Sequence, residues 1–161
     1  MKILQLSDIH LSKNNLTNFK NYYLDALIDD LQKFNPIDVI LITGDLVDKG
    51  GSSLGKKPYN QFEELFINPI SNRLGIEKAN ILFIPGNHDI NTNCIDEDNE
   101  YRIVRELDSN TANDLLEKQA KEFQKTNKRI EDFKIFEQNF HKENPSYIFT
   151  NNESLFIIES N

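Results

Sequence analysis

Three short polar motifs combine carboxylate, imidazole and amide side chains, which are the groups that bind metal ions and transfer protons. In chain order they are Asp8-Ile9-His10, Gly44-Asp45-Leu46-Val47-Asp48 and Gly86-Asn87-His88-Asp89. The sequence has three histidines, and two of them lie in these motifs. Mixed carboxylate, imidazole and amide ligands suit Mn, Fe or Zn better than Ca. The three motifs together predict a transition-metal site.

Each motif offers a different piece of chemistry. Asp8 and His10 are alternate residues of an extended segment, so both side chains can reach one metal ion. Asp45 follows a glycine at a sharp turn, where its carboxylate projects from the end of a strand. The third motif supplies a titratable nitrogen in His88 and a carboxylate in Asp89 that could hold this nitrogen in place. Taken singly, each motif is equally compatible with an ordinary turn or helix cap.

A short apolar run precedes each motif. The runs Ile3–Leu6, Val39–Ile42 and Ile81–Ile84 are typical of strands that are covered on both faces. Apolar residues at spacings of three and four predict a helix over Leu16–Phe34 and another over Phe62–Leu74. Strand, helix, strand, helix, strand predicts an α/β fold with parallel strands, whose carboxyl ends meet at one crevice. All three motifs should therefore converge.

Two further predictions concern local structure. Pro69 should interrupt the second helix, because proline lacks an N–H and its ring clashes with the preceding turn. Residues 91–140 begin as a polar loop and continue with an apolar stripe, which predicts a helical insertion or cap. Residues 147–149 and 155–158 predict a hairpin with Asn151-Asn152 in its turn.

Composition excludes several classes of protein. The formal net charge of -8 argues against a surface built mainly to hold nucleic acid or anionic lipid, although bound cations would still permit a nuclease. The single cysteine, Cys94, excludes an intrachain disulfide and favours a reducing, cytoplasmic location. No segment approaches the roughly 18 apolar residues of a membrane span, and the N-terminus is unlike a signal peptide, so we expect no membrane partner.

The three motifs resemble, in type, order and approximate spacing, the first signature blocks of the calcineurin-like metallophosphoesterases. The resemblance covers residues 3–90 and, more loosely, 147–160. It implies a sandwich of two mixed β-sheets flanked by helices. The family's two later blocks, a lone histidine and a Gly-His-x-His pair, do not occur in these 161 residues. We therefore expect 1–161 to form a single domain whose C-terminal part is absent.

The resemblance also implies two divalent metal ions, which the residue types suggest are Mn, Fe or Zn. Asp8 and His10 would bind the first ion, Asn87 would bind the second, and Asp45 would bridge both. A bridging ligand needs several lone pairs, which a carboxylate has.

His88 is implied to be a general acid that protonates the leaving group, and Asp48 is implied to orient it by a hydrogen bond. Histidine suits this role because it titrates near neutral pH. His141, the third histidine, is interpreted as a solvated helix end. The family's protein phosphatases carry an arginine where this sequence has Lys49, which argues against a protein phosphatase.

The predicted function is hydrolysis of a phosphate monoester or diester by a metal-activated hydroxide. Two alternatives stay open at this point. One is a catalytically incomplete phosphoesterase-like domain with a binding or regulatory role. The other is a nuclease or cyclic-nucleotide phosphodiesterase, in which nucleic acid would enter only as substrate. The sequence does not identify the substrate or the oligomeric state.

Overall fold

Three parallel strands form the central sheet of the protein. The computed structural model describes residues 1–94, 128–149 and 154–158, with isolated positions between 97 and 114. Strands β1 (Ile3–Leu6), β2 (Val39–Thr43) and β3 (Ile81–Ile84) lie in the order β1-β2-β3. Leu4 is opposite Ile40, which is opposite Ile81. The predicted strands and their parallel arrangement are confirmed, and the chain is of the α/β class.

Helix α1 connects β1 to β2 and consists of three consecutive segments, Leu16–Asn18, the π-helical Phe19–Tyr23, and Leu24–Gln32. Its buried residues include Leu24, Ile28 and Leu31, which recur at spacings of four and three. This spacing places them on one face of the helix, so the face is buried and the charged residues between them stay in solvent.

Helix α2 connects β2 to β3, and Pro69 does not interrupt it as predicted. The segments Pro58–Phe62, Glu63–Ile67 and Asn68–Leu74 follow one another without a break. The middle segment is π-helical, and this wider turn ends at Ile67, two residues before Pro69. A local change of helical turn accommodates a missing N–H and relieves the clash of the proline ring. Gly75, with a φ of 70°, ends the helix in the left-handed region.

The hydrophobic core lies between the sheet and these two helices. Ile40 and Ile42 of β2 are each 1% exposed, and Ile28 of α1 and Phe62 of α2 are completely buried. Burial of each such side chain contributes roughly 1.5–3 kcal/mol. The middle strand β2 is therefore held against the core, and the loop with Asp45 follows it.

Short 3₁₀ turns lie in the connections between these elements, at Lys49–Leu54, Lys78–Asn80, Asn87–Asp89, Thr92–Cys94 and Lys128–Ile130. Helix α3 spans Glu131–Phe140 and contacts α2. Most of the insertion predicted at 91–140 falls outside the described residues, while its described end is helical. Its role as an insertion or cap stays a prediction, as does the single-domain organisation.

A second, antiparallel sheet follows α3, formed by β4 (Tyr147–Phe149) and β5 (Ser154–Phe156). Its strands match the predicted hairpin to within two residues, and the turn between them falls outside the described residues. In the part of the chain that the structure describes, no helix is both long and apolar enough to cross a membrane.

The interpretation of His141 as a solvated helix end is wrong. The residue is 1% exposed and its ring lies 4.9 Å from the rings of Phe140 and Phe156 and 5.0 Å from the ring of Tyr147. The β4–β5 hairpin follows α3 in sequence and folds back over the end of this helix. Its residues Tyr147 and Phe156 cover His141. We call these four residues, together with Phe83, the aromatic layer.

Candidate metal centre

The loops after β1 and β2 continue side by side beyond the ends of their strands. The main-chain N–H of His10 donates to the carbonyl of Asp45 at 2.8 Å, and that of Leu11 donates to the carbonyl of Leu46 at 3.1 Å. The N–H of Asp48 returns to the carbonyl of Leu11 at 3.1 Å. These three bonds bring the first two sequence motifs together, as the convergence of parallel strand ends predicts.

The same loops contain unusual backbone conformations. Asp8, His10, Asp45 and Lys49 all have positive φ angles, of 57°, 47°, 54° and 50°. Among the described residues they are the non-glycine positions with this feature. A left-handed conformation costs a side-chain-bearing residue roughly 1–2 kcal/mol. Strained backbone of this kind persists only where the surrounding structure enforces it, and it clusters at functional sites.

The third motif packs directly against the second. The main-chain N–H of His88 donates to Oδ1 of Asp45 at 2.9 Å. A β-carbon built on Gly86 would lie 2.2 Å from the same oxygen, so only glycine leaves room for this carboxylate. The Asp45 side chain is 14% exposed and is thus enclosed by the loop that carries His88.

A cluster of possible metal ligands results from this packing. One donor atom each of His10, Asp45 and His88 lies within 4.8 Å of the other two. Nε2 of His10 is 3.6 Å from Oδ2 of Asp45 and 3.8 Å from Oδ1 of Asp8. The rings of His10 and His88 meet edge to face, with centroids 4.5 Å apart. Imidazole and carboxylate donors at this spacing fit a divalent transition metal ion.

The remaining predicted ligands lie at the edge of this cluster. The Asp8 side chain is 70% exposed and faces His10, while Asn87 is exposed in the turn that carries His88. Of the four predicted ligands, His10 and Asp45 are therefore the closest pair, and Asp8 lies beside His10. Asn87 is next to His88 in the chain but is exposed. The structure also places His88 among the possible ligands, where the family resemblance implies an acid.

Asp48 holds the ring of His88. Nδ1 of His88 is 2.8 Å from Oδ1 of Asp48, and both side chains are about one-third exposed. Because an ionised carboxylate only accepts hydrogen bonds, Nδ1 carries the proton and Nε2 is the nitrogen left to exchange one. This is the hydrogen bond that the resemblance implied.

Asp89 does not hold the imidazole, which was the use suggested for it from the sequence. It is 2% exposed, and its carboxylate accepts N–H groups of Leu46 at 3.2 Å, Val47 at 3.1 Å and Gly86 at 2.8 Å. Burial raises the pKa of Asp89 above its usual value, while the three backbone hydrogen bonds act in the opposite direction. Asp89 therefore ties the second motif to the third.

Sequence reasoning also missed Asn15. Its side-chain N–H donates to the carbonyl of His10 at 2.8 Å, and its side-chain oxygen accepts the N–H of Ser12 at 2.9 Å. Asn15 directly precedes helix α1, where asparagine is common, but its side chain bonds to the His10 loop and does not cap the helix. Its position was readable from the sequence, whereas its contact with the His10 loop required the fold.

The parallel sheet and the His10–Asp45–His88 cluster at the ends of its strands define an α/β protein with a possible metal-binding centre. The family model described as calcineurin-like phosphoesterase matches residues 1–156, and the chain belongs to this family. The chain is also similar to an uncharacterized metallophosphoesterase-like protein, YydB, of Bacillus subtilis (strain 168). The two are 31% identical over 134 residues, an alignment that covers 76% of this chain and 26% of that protein. The chain thus spans about a quarter of this relative's length.

Proposed function

We propose that this chain carries part of the active site of a metal-dependent phosphohydrolase that acts on phosphate monoesters or diesters. The observation that supports this most directly is the gathering of His10, Asp45 and His88 within 4.8 Å at the carboxyl ends of parallel strands. Family membership adds the reaction class. A phosphate-ester substrate and a cytoplasmic location belong to the same proposal.

Asp8, His10, Asp45 and Asn87 are the proposed ligands of two divalent ions, most suitably Mn, Fe or Zn. Asp45 is proposed to bridge the two ions. When bound, such ions polarise a phosphoryl group and lower the pKa of water. The protein's own contribution is to fix the donor atoms: the left-handed backbone at three of these residues and the bond from the His88 N–H to Asp45 both serve this end.

His88 is the proposed general acid, which protonates the departing oxygen from Nε2. Asp48 accepts the Nδ1 proton, so it selects the tautomer and fixes the ring. This role requires an imidazole ring that keeps its orientation while it gives up a proton. The 2.8 Å hydrogen bond to Asp48 supports the fixed orientation.

A binding or regulatory domain is the second candidate. It is favoured by the small number of donors in the described residues, since only His10, Asp45 and His88 form a group of three or more. Such a domain would hold one ion or none and would not turn over substrate.

Titration calorimetry with Mn(II), combined with hydrolysis of bis(p-nitrophenyl) phosphate and p-nitrophenyl phosphate, tests the proposal on this chain. We expect weak Mn(II) binding that depends on Asp45. We also expect inorganic phosphate to inhibit the hydrolysis, because it competes with the phosphate ester. Binding that persists in Asp45→Asn would contradict the proposed site. Asp45-dependent Mn(II) binding without detectable hydrolysis would support the second candidate instead.

A further inference from the structure

We propose that Tyr59 is a positioning residue for the metal centre and acts through Asp89. Tyr59 lies at the start of helix α2, outside all three motifs, and is 2% exposed. Its hydroxyl oxygen is 3.1 Å from the main-chain oxygen of Asp89 and 3.3 Å from Oδ1. The inference rests on the proposed function for its catalytic meaning, while its structural part stands on these contacts alone.

Asp89 is a buried carboxylate whose acceptor sites are largely filled by hydrogen bonds from the two loops and Tyr59. Oδ2 accepts the N–H groups of Gly86 and Leu46, and Oδ1 accepts the N–H of Val47. Tyr59 adds a fourth donor, whose single proton is shared between two oxygens of Asp89. The four donors together keep this carboxylate in one orientation.

The orientation of Asp89 determines how two loops meet. Leu46 and Val47 directly follow Asp45 and precede Asp48, while Gly86 precedes Asn87. One carboxylate thus joins the loop that holds the proposed bridging ligand to the loop that holds the proposed acid. A small rotation of Asp89 would move both loops relative to each other, and metal ligands tolerate little displacement.

Helix α3 holds the ring of Tyr59 in place. The ring stacks on Phe136 at 5.4 Å with an interplanar angle of 18°, and it meets Phe133 edge to face at 5.8 Å. Phe133 is completely buried and Phe136 is 5% exposed, so the ring has little freedom to turn away from Asp89. Through Tyr59, a helix that carries none of the motifs supports the geometry of the site.

Tyr59→Phe is the direct test, because it removes the hydroxyl and keeps the ring and its stacking. We expect amide hydrogen exchange at Leu46 and Val47 to become about tenfold faster, while the amides of β2 keep their protection. We also expect the affinity for Mn(II) to fall about tenfold, the lower end of the usual effect of groups that support metal ligands. A purely structural role would instead raise exchange throughout the core.

Tyr147→Phe is the matched control. Its hydroxyl is also buried, meets no hydrogen-bond criterion with any of the described residues, and lies outside the candidate metal centre. Removal of this group should leave exchange at Leu46 and Val47 and Mn(II) affinity unchanged.

Unchanged exchange at both amides in Tyr59→Phe would overturn the inference, whether or not the wild type binds metal. Absence of Mn(II) binding in the wild type would instead count against the proposed function, and the exchange measurement would still decide the role of Tyr59. Equal effects of Tyr59→Phe and Tyr147→Phe would also overturn it, since they would indicate a general consequence of hydroxyl removal.

Discussion

His88 in the metal centre and His141 in the aromatic layer occupy opposite environments. The His88 side chain is 38% exposed and its Nδ1 bonds to the carboxylate of Asp48. His141 is 1% exposed, and its buried Nε2 has no hydrogen-bond partner among the described residues. Burial lowers the pKa of His141 to about 4. A carboxylate partner and solvent access fit the proton transfer proposed for His88, whereas burial keeps His141 neutral.

This contrast between His88 and His141 shows that the surroundings of a histidine, and not its residue type alone, indicate which histidine is suited to proton transfer. Asn144 offers its side-chain amide to Nδ1 of His141 at 3.4 Å, but no carboxylate of the described residues bonds to this ring. An uncharged ring packed between aromatic rings behaves as part of the core. His88 and His10, by contrast, meet each other and Asp45 in an open cluster.

The largest effect is expected where the cluster loses its central carboxylate. Asp45→Asn keeps an oxygen for the N–H of His88 but removes the negative charge that two cations would share. We expect metal binding and hydrolysis to fall to background, beyond the roughly 10–100-fold that follows changes of supporting groups. Elemental analysis and calorimetry with Mn(II) measure this. Asp48→Asn is the control and should retain most of the metal, and full metal occupancy in Asp45→Asn would refute the bridging role.

His88→Asn should lower kcat by about 10²–10⁴-fold, the usual contribution of general acid catalysis, with a much smaller change in metal content. The loss should shrink for esters with good leaving groups such as p-nitrophenolate, because these need little protonation. Steady-state kinetics over a series of leaving groups gives the comparison. If metal is lost together with activity, His88 is a ligand, as its place in the cluster also permits.

His141→Phe should leave the metal centre unaffected and change the dependence of stability on pH. The pKa of His141 is about 4 in the fold and near 6.5 when unfolded, so the unfolded state takes up a proton first as the pH falls. Wild-type stability should therefore decrease between pH 6.5 and 4, by up to about 3 kcal/mol at 1.36 kcal/mol per pKa unit. Above pH 6.5 the ring is neutral in both states, so the contribution of His141 to the free energy of unfolding no longer changes with pH.

Urea unfolding of wild type and His141→Phe at pH 7, 5.5 and 4.5 isolates this histidine from carboxylates that titrate in both proteins. The variant should lose less stability than the wild type over this range. Parallel curves would show that His141 is accessible to protons in the folded state, and the contrast with His88 would then disappear.

The sequence predicted the framework of the molecule well because its signals were local. Three apolar runs marked the strands, and helical spacing marked α1 and α2. Pro69 was misjudged because the π-helical segment before it, Glu63–Ile67, has no recognised sequence signature. The polar motifs converge as expected, because the carboxyl ends of parallel strands meet at one edge.

The details of the site depended on contacts between distant residues. The contact of Tyr59 with Asp89 joins positions 30 residues apart, and that of Val47 with Asp89 joins positions 42 apart. No periodicity or local motif encodes such pairs. His141 was misread for the same reason, since the hairpin that covers it lies further along the chain and folds back over it.

Because Gly86 lies so close to Asp45, a single added methyl group at position 86 would disrupt the candidate metal centre. Alanine at position 86 would place its β-carbon 2.2 Å from Oδ1 of Asp45 and 2.6 Å from the main-chain nitrogen of that residue. The carboxylate would have to turn away, although every proposed ligand would still be present in the sequence. Relatives that retain every proposed ligand but carry a side chain here are thus expected to bind metal poorly at this site.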